Sequence, residues 1–331
     1  MKRIFRFAPE ATYATYDGTT IPPIVLPMDT ANSFSPMTQR QFWELMDGSG
    51  LNVPRLRGSE VQGVAGRLQT RGYWESVQYL AGWASRVNAA QTAPWGTDQK
   101  PNDLASATAD FGFTFDDDSY KRLRYLGCKV PDATISSSNA PNNPFLMFDY
   151  SLLGSKPIPN AYVIGDTAID ATAFPEPALT DYPVAPLTFQ ECVFTAYGAA
   201  RPYFDSFSIK ISNKVKAYCD NGRFANRVHC RGRRVTLTVH PLLQVATDAR
   251  LKYEAVQALG ALSIEFTNPV IPGGMTTPDK LKFDFRSKTF LDSVAEEMIL
   301  DEDAYSTWTA TAFLDTAAGD DFAITWTPAA A

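Results

Sequence analysis

Apolar residues recur at every second position along most of this chain, and that spacing narrows the fold more than any other feature. Phe207, Ile209 and Ile211 alternate with Ser208 and Lys210, and Val235, Leu237 and Val239 alternate with Thr236 and Thr238. Leu262, Ile264 and Phe266, then Leu281, Phe283 and Phe285, then Phe322, Ile324 and Trp326 repeat the period, as do Phe111, Phe113 and Phe115 in the first half. Alternate side chains of a strand point to opposite faces, so these segments predict antiparallel sheets with one buried face. Asp220-Asn221-Gly222 and Pro272-Gly273-Gly274 supply turn chemistry between them. The predicted class is mainly β.

Three helices interrupt the strands. Ser35 can cap a helix with Pro36 in its first turn, running through Phe42-Trp43-Glu44-Leu45-Met46 to Gly48. A second is predicted from Tyr73 to Val87, with Trp74, Val77, Ala81 and Ala84 on one stripe. A third starts near Thr247-Asp248 and stops at Gly260, carrying Leu251, Ala255 and Leu259.

The order of elements then repeats. A strand at Val64–Arg71, the Tyr73–Val87 helix, and strands at Phe111–Phe115, Leu123–Ile135 and Phe145–Leu153 are matched in the second half. There the order is a strand at Arg233–His240, a helix at Asp248–Leu259, and strands at Leu262–Phe266, Leu281–Leu291 and Tyr305–Leu314. This predicts an internal duplication, and two unrelated β domains would give the same pattern. The division is residues 1–156, a proline-bearing linker over 157–186, and residues 187–331. The Ser35–Gly48 helix and the loop-rich Asn88–Asp110 segment have no second-half counterpart.

Chemistry is sparse. His229 and His240 are the two histidines of the chain, and no His-Glu-x-x-His, Gly-x-Ser-x-Gly or phosphate-loop motif occurs. Gly63-Val64-Ala65-Gly66 lacks the third glycine of a dinucleotide fingerprint. Asp116-Asp117-Asp118 and Asp301-Glu302-Asp303 lack the alternating ligands of a calcium loop and read as solvated clusters at strand ends. Cys128, Cys192, Cys219 and Cys230 fit no zinc or disulfide spacing and read as reduced thiols. No enzyme, metal or cofactor is therefore predicted. No apolar run approaches the roughly 18 residues that span a bilayer.

Charge is unevenly placed. From Arg201 to Lys252 there are eleven basic residues against three acidic ones, densest at Arg231-Gly232-Arg233-Arg234. From Thr289 to Ala331 there are nine acidic residues and no Lys or Arg, within a chain whose net charge is −6. Such regions can pair between copies of a protein, can grip phosphate at the arginines, or can be two solvated faces. The candidates for contact between subunits are Arg231, Arg233, Arg234, Asp301, Glu302 and Asp303. Reversing Arg233 and Arg234 is expected to disturb such contacts and leave the monomer folded.

Ser206-Phe207-Ser208-Ile209-Lys210-Ile211-Ser212-Asn213 followed by Gly232-Arg233-Arg234-Val235-Thr236-Leu237-Thr238-Val239 resembles the major tail tube proteins of long-tailed bacteriophages. Phe113-Thr114-Phe115 and Tyr125-Leu126-Gly127-Cys128-Lys129-Val130 carry the same likeness in the first half. It covers the chain from about Val61 onward and points to the larger type with two tube-fold repeats. The resemblance implies a duplicated fold, an antiparallel β-sandwich or barrel with a flanking helix in each repeat. It also implies rings of three double-repeat chains, alternatively six, stacked into a tube through which viral DNA passes unbound during ejection. A tail terminator, a tape measure protein and distal tail proteins are the implied partners. The implied location is the virion tail, assembled in the host cytoplasm, with no membrane contact. Another virion β-sandwich, such as a decoration or receptor-binding module, is the competing reading and would remain a discrete particle.

Overall fold

The computed structural model describes residues 3–10, 13, 24–26, 33–39, 42–46, 52–56, 61–84, 104–114, 120–141, 144–154, 156–157, 185–196, 199–201, 204–218, 227–241, 253–271, 273–297 and 305–330. Its first half comprises β1 (Arg3–Pro9), β2 (Ile24–Leu26), β3 (Ser33–Gln39), β4 (Phe42–Met46), β5 (Asn52–Leu56), β6 (Val61–Arg71), α1 (Val77–Ala84), β7 (Ala107–Thr114), β8 (Tyr120–Cys128), β9 (Asp132–Ser138), β10 (Met147–Gly154) and β11 (Lys156–Pro157). The second half comprises β12 (Cys192–Ala196), β13 (Ala199–Arg201), β14 (Phe204–Tyr218), β15 (Arg227–Pro241), β16 (Leu262–Thr267), β17 (Lys280–Phe285), β18 (Thr289–Glu297), β19 (Tyr305–Ala312) and β20 (Phe322–Thr327). The mainly β class is as the alternation predicts.

An eight-stranded antiparallel sheet runs through both halves in the order β3-β6-β10-β9-β14-β15-β19-β18. Two five-stranded sheets belong one to each half, β2-β1-β7-β8-β11 and β13-β12-β16-β17-β20. With the β4–β5 hairpin set aside, each first-half strand has a second-half counterpart with equivalent neighbours. In the long sheet β3, β6, β10 and β9 correspond in turn to β14, β15, β19 and β18. In the smaller sheets β2, β1, β7, β8 and β11 correspond to β13, β12, β16, β17 and β20. Both halves run in the same direction along the long sheet. They meet where β9 pairs β14, from Ser138 opposite Ser206 to Asp132 opposite Ser212.

The smaller sheets and α1 cover the apolar face of the long sheet. In the first half Trp83 of α1 stacks on Phe7 of β1, with centroids 4.9 Å apart, and meets Tyr150 of β10 edge-on at 6.4 Å. Its indole N–H donates to the Cys128 carbonyl at 3.0 Å. Trp74, Val77, Ala81 and Ala84 are buried, as the stripe predicts, although the α-helix starts at Val77 rather than Tyr73, and residues 85–87 of the expected span lie outside the described residues. In the second half Phe207 of β14 faces Phe266 of β16 at 6.0 Å, and Phe194 of β12 faces Trp308 of β19 at 6.4 Å. Each such ring removes enough apolar area from water to stabilise the fold by about 1.5–3 kcal/mol.

Four expectations change. The described residues of Ser35–Gly48 are strand and not helix: Ser33–Gln39 is the edge strand β3 and Phe42–Met46 pairs with β5. A short run such as Phe42-Trp43-Glu44-Leu45-Met46 suits either state, and cross-strand pairing decides it. Pro36 sits on an edge, where a missing N–H is tolerated. Leu123–Ile135 divides into β8 and β9, and Leu281–Leu291 into β17 and β18, each pair lying in different sheets. The chain changes sheet at equivalent places in the two halves, around Gly127 (φ 67°) and Pro131 in the first and at Arg286–Lys288 in the second. Of the third helix, residues 247–252 lie outside the described residues; among the described ones Tyr253 and Glu254 are helical and a turn follows at Ala255–Val256, short of Gly260.

Candidate functional site

The face of the long sheet turned away from the core is carpeted with hydroxyls. The inward positions of β9, β14 and β15 are filled by Ala133, Ile135, Phe207, Ile209, Ile211, Val235, Leu237 and Val239, all buried. Strand alternation therefore turns their neighbours outward. One row of cross-strand partners reads Met147, Ser136, Ser208, Thr238, Thr309 and Ser293. The next row reads Asp149, Thr134, Lys210, Thr236 and Thr311. Ser138 and Ser206 lie opposite each other beyond them, with His240 next to Ser206. β-branched Thr fits the pleat, and hydroxyls exchange partners with water readily.

Several charges on this face are offset within it. Arg67 and Asp149 form a two-pronged ion pair, with Nε donating to Oδ1 at 2.8 Å, and the carboxylate raises the Arg67 pKa. Arg234 lies 3.7 Å from Asp292 and also donates to the Thr311 hydroxyl at 3.3 Å. Ser212 donates to Asp132 at 2.7 Å, and His240 Nδ1 is 3.7 Å from Asp205. Lys210 stands exposed in the centre of the carpet.

The two ends of the sheet differ from its middle. Among the described residues β3 and β18 are edge strands, each paired on one side within the chain. Such edges present a row of backbone donors and acceptors to any approaching strand. β18 carries a register shift between Leu291 and Ser293 and an exposed Asp292. β3 carries Pro36.

The contact candidates separate. Arg233 is nine-tenths buried: its guanidinium pairs with Asp321, donates to the Phe322 carbonyl at 3.0 Å and lies 6.0 Å from the Phe322 ring. Arg234 is 67% exposed on the outer face. Arg231 belongs to β15, and Asp301, Glu302 and Asp303 lie outside the described residues. The basic and acidic regions thus meet inside one chain at Arg233–Asp321 and Arg234–Asp292. Arg286, which lies outside the basic region, also pairs with Asp320 of the acidic one, Nε to Oδ1 2.5 Å, which raises its pKa. Reversal at Arg233 would therefore set a carboxylate against Asp321 within the fold, contrary to the expectation of an undisturbed monomer. The hydroxyl carpet was missed in the sequence, although its signal is there: the polar partners in Thr134-Ile135-Ser136, Ser206-Phe207-Ser208, Thr236-Leu237-Thr238 and Thr307-Trp308-Thr309 are all Ser or Thr.

Cys128 and Cys192 are free thiols whose pKa burial pushes far up, so they are inert packing groups. No helix among the described residues is long and apolar enough to cross a membrane. A family profile described as phage tail tube protein matches residues 3–312. No curated protein matches the chain.

Proposed function

Because the chain belongs to the phage tail tube protein family, we propose that three copies close into a ring, that rings stack into the tail tube, and that the hydroxyl-lined face of the long sheet lines its channel. As a family member the protein is a structural component of a phage tail. The observation that carries the ring is the head-to-tail repetition of strand order. Within one chain the third long-sheet strand of the first half, β9, pairs the first of the second half, β14. The equivalent strands left over are β18 and β3, one at each end of the same sheet. Directions alternate along the sheet, so β18 of one copy meets β3 of the next antiparallel, as β9 meets β14. Edges that would be open in a monomer vanish when the ring closes. The repeats are residues 1–156 and 187–331 joined by 157–186, and six of them give a ring its pseudo-sixfold form.

The lining suits a conduit for DNA. Tight DNA binding comes from Lys and Arg that displace counterions from phosphates. A carpet of Ser and Thr, with Arg67 and Arg234 held by Asp149 and Asp292, supplies few such cations. Ring-on-ring stacking is a heterologous contact that does not close, so it propagates a tube. Arg231 and the Asp301–Glu302–Asp303 cluster are the residues assigned to it. Tail terminator, tape measure and distal tail proteins complete the assembly, formed in the host cytoplasm.

Negative-stain electron microscopy across a protein concentration series tests this reading. Hollow rings or tubes whose end views average with three chains are expected. Discrete particles without a channel at every concentration would overturn it in favour of a decoration or receptor-binding module, and rings of six whole chains would overturn the stoichiometry.

A further inference from the structure

The contact between the two halves extends beyond strand pairing, and at its counterpart in the second half the described residues 253–257 are exposed. In the first half the segment after β6 is covered. Gly72 accepts from the Leu187 N–H at 2.9 Å, the Trp74 N–H donates to Ala185 at 2.9 Å, and Val77, Leu80 and Trp83 of α1 are fully buried. Part of that cover is the second half's last strand: α1 touches β20, and Trp74 lies 6.0 Å from Trp326. The equivalent segment of the second half follows β15 and precedes β16. There Tyr253, Glu254, Ala255, Val256 and Gln257 are all exposed, with Tyr253 at 44% and Val256 at 79%. Val256 moreover holds φ 52°, a left-handed conformation that β-branched residues avoid.

We infer that Tyr253 and Val256 form a docking surface for a second copy of this chain, which places its β11 (Lys156–Pro157) against them as β20 is placed against α1. β11 is the counterpart of β20, the last strand of its half and the outer strand of its five-stranded sheet. The contact runs in the same sense as the pairing of β18 with the next β3, so one approaching copy makes both at once. This rests on the ring reading above and deepens it. The apolar pair is the repeat counterpart of an interface the chain already builds between its own halves, and that identifies the occupant as another copy. Burying Tyr253 and Val256 on association removes apolar area from water at the rim of a join otherwise made by backbone hydrogen bonds.

The test has two arms, each with the wild type beside it. The first is the double variant Tyr253→Glu and Val256→Glu, in which both side chains change from exposed apolar to charged. Far-ultraviolet circular dichroism and the melting temperature of the monomer are expected to match the wild type. The concentration at which rings appear in sedimentation velocity is expected to rise at least tenfold. The second arm replaces Tyr253 with a photo-crosslinking phenylalanine derivative in an equal mixture of isotopically light and heavy chains. Mass spectrometry should then find mixed-label crosslinks to the peptide containing Lys156 and Pro157. Wild-type rings with an unchanged double-variant threshold, or crosslinks confined to single-label peptides, would overturn this docking surface and leave the ring intact. Failure of the wild type itself to form rings would remove the ring reading and this inference with it.

Discussion

Arg233 and Arg234 are adjacent in sequence, yet their replacement by Ala should have consequences of very different size. The Arg233 side chain is 5% exposed and its partner Asp321 15%, with a further hydrogen bond to the Phe322 carbonyl at 3.0 Å. Removing one partner of a buried pair leaves the other charge uncompensated, a loss of about 3–5 kcal/mol. Because Asp321 keeps some contact with water, the lower end, ~3 kcal/mol, applies. Arg234 is 67% exposed and 3.7 Å from Asp292, a pair of the kind that contributes about 0–1 kcal/mol. With an unfolding entropy of about 2.1 cal/mol/K per residue over 331 residues, ~3 kcal/mol lowers the melting temperature by roughly 4 °C if the chain unfolds as one unit. The Arg234→Ala shift should stay within about 1.5 °C on the same scale. Calorimetry of the unassembled protein at low concentration, with urea midpoints as a second reading, decides it. If Arg233→Ala melts with the wild type and only assembly suffers, then Arg233 is an intersubunit residue and the internal clamp reasoned from its burial is wrong.

Trp83→Phe keeps a ring against Phe7 but removes the donor to the buried Cys128 carbonyl, so urea unfolding should show a loss of about 1–3 kcal/mol, and Trp83→Ala about 3–5 kcal/mol. Asp315 accepts from the Ser287 hydroxyl and the Ala317 N–H, which hold its carboxyl below the ordinary 3.8. A depressed folded pKa contributes stability above the unfolded value, and that contribution is lost as pH falls through the folded pKa. The deficit of Asp315→Asn in urea melts should therefore be largest near neutral pH and fade below about pH 4; a deficit that is constant with pH would contradict it. Ser208→Lys with Thr238→Lys places two cations side by side in the hydroxyl carpet. Tubes of that variant should retain short duplex DNA at about 50 mM salt and release it at about 200 mM, while wild-type tubes retain none at either; equal behaviour would remove this face from the channel.

Alternation made the strands legible because it is local: the buried faces of β14, β15, β16 and β17 are the apolar positions read from the chain. What alternation does not carry is which strand lies beside which. Leu123–Ile135 and Leu281–Leu291 each read as one strand because apolar residues continue through the crossing, and only the pairing of β8 and β17 in one type of sheet and β9 and β18 in the other reveals the break. Phe42–Met46 reads as helix from its own residues for a similar reason, since its pairing with Asn52–Leu56 decides its state. The third predicted helix had apolar spacing but is cut short at Val256, where its first-half counterpart is covered and it is not. Charge counting located the basic and acidic regions but not their meeting within one chain. Arg233 and Asp321 are 88 positions apart and come together only through the fold. The hydroxyl carpet was present in the same segments that revealed the core; it went unread because attention to alternation favours the buried half of each strand.

The central claim is that the junction between the halves of one chain is repeated between chains. A cryo-electron microscopy reconstruction of the assembled tube, at a resolution that separates strands, tests it most directly. The account predicts three chains per ring, β18 of each hydrogen-bonded antiparallel to β3 of the next, and the Ser and Thr rows facing the channel. Rings in which β18 and β3 face solvent, or in which the hydroxyl rows face outward, would contradict it.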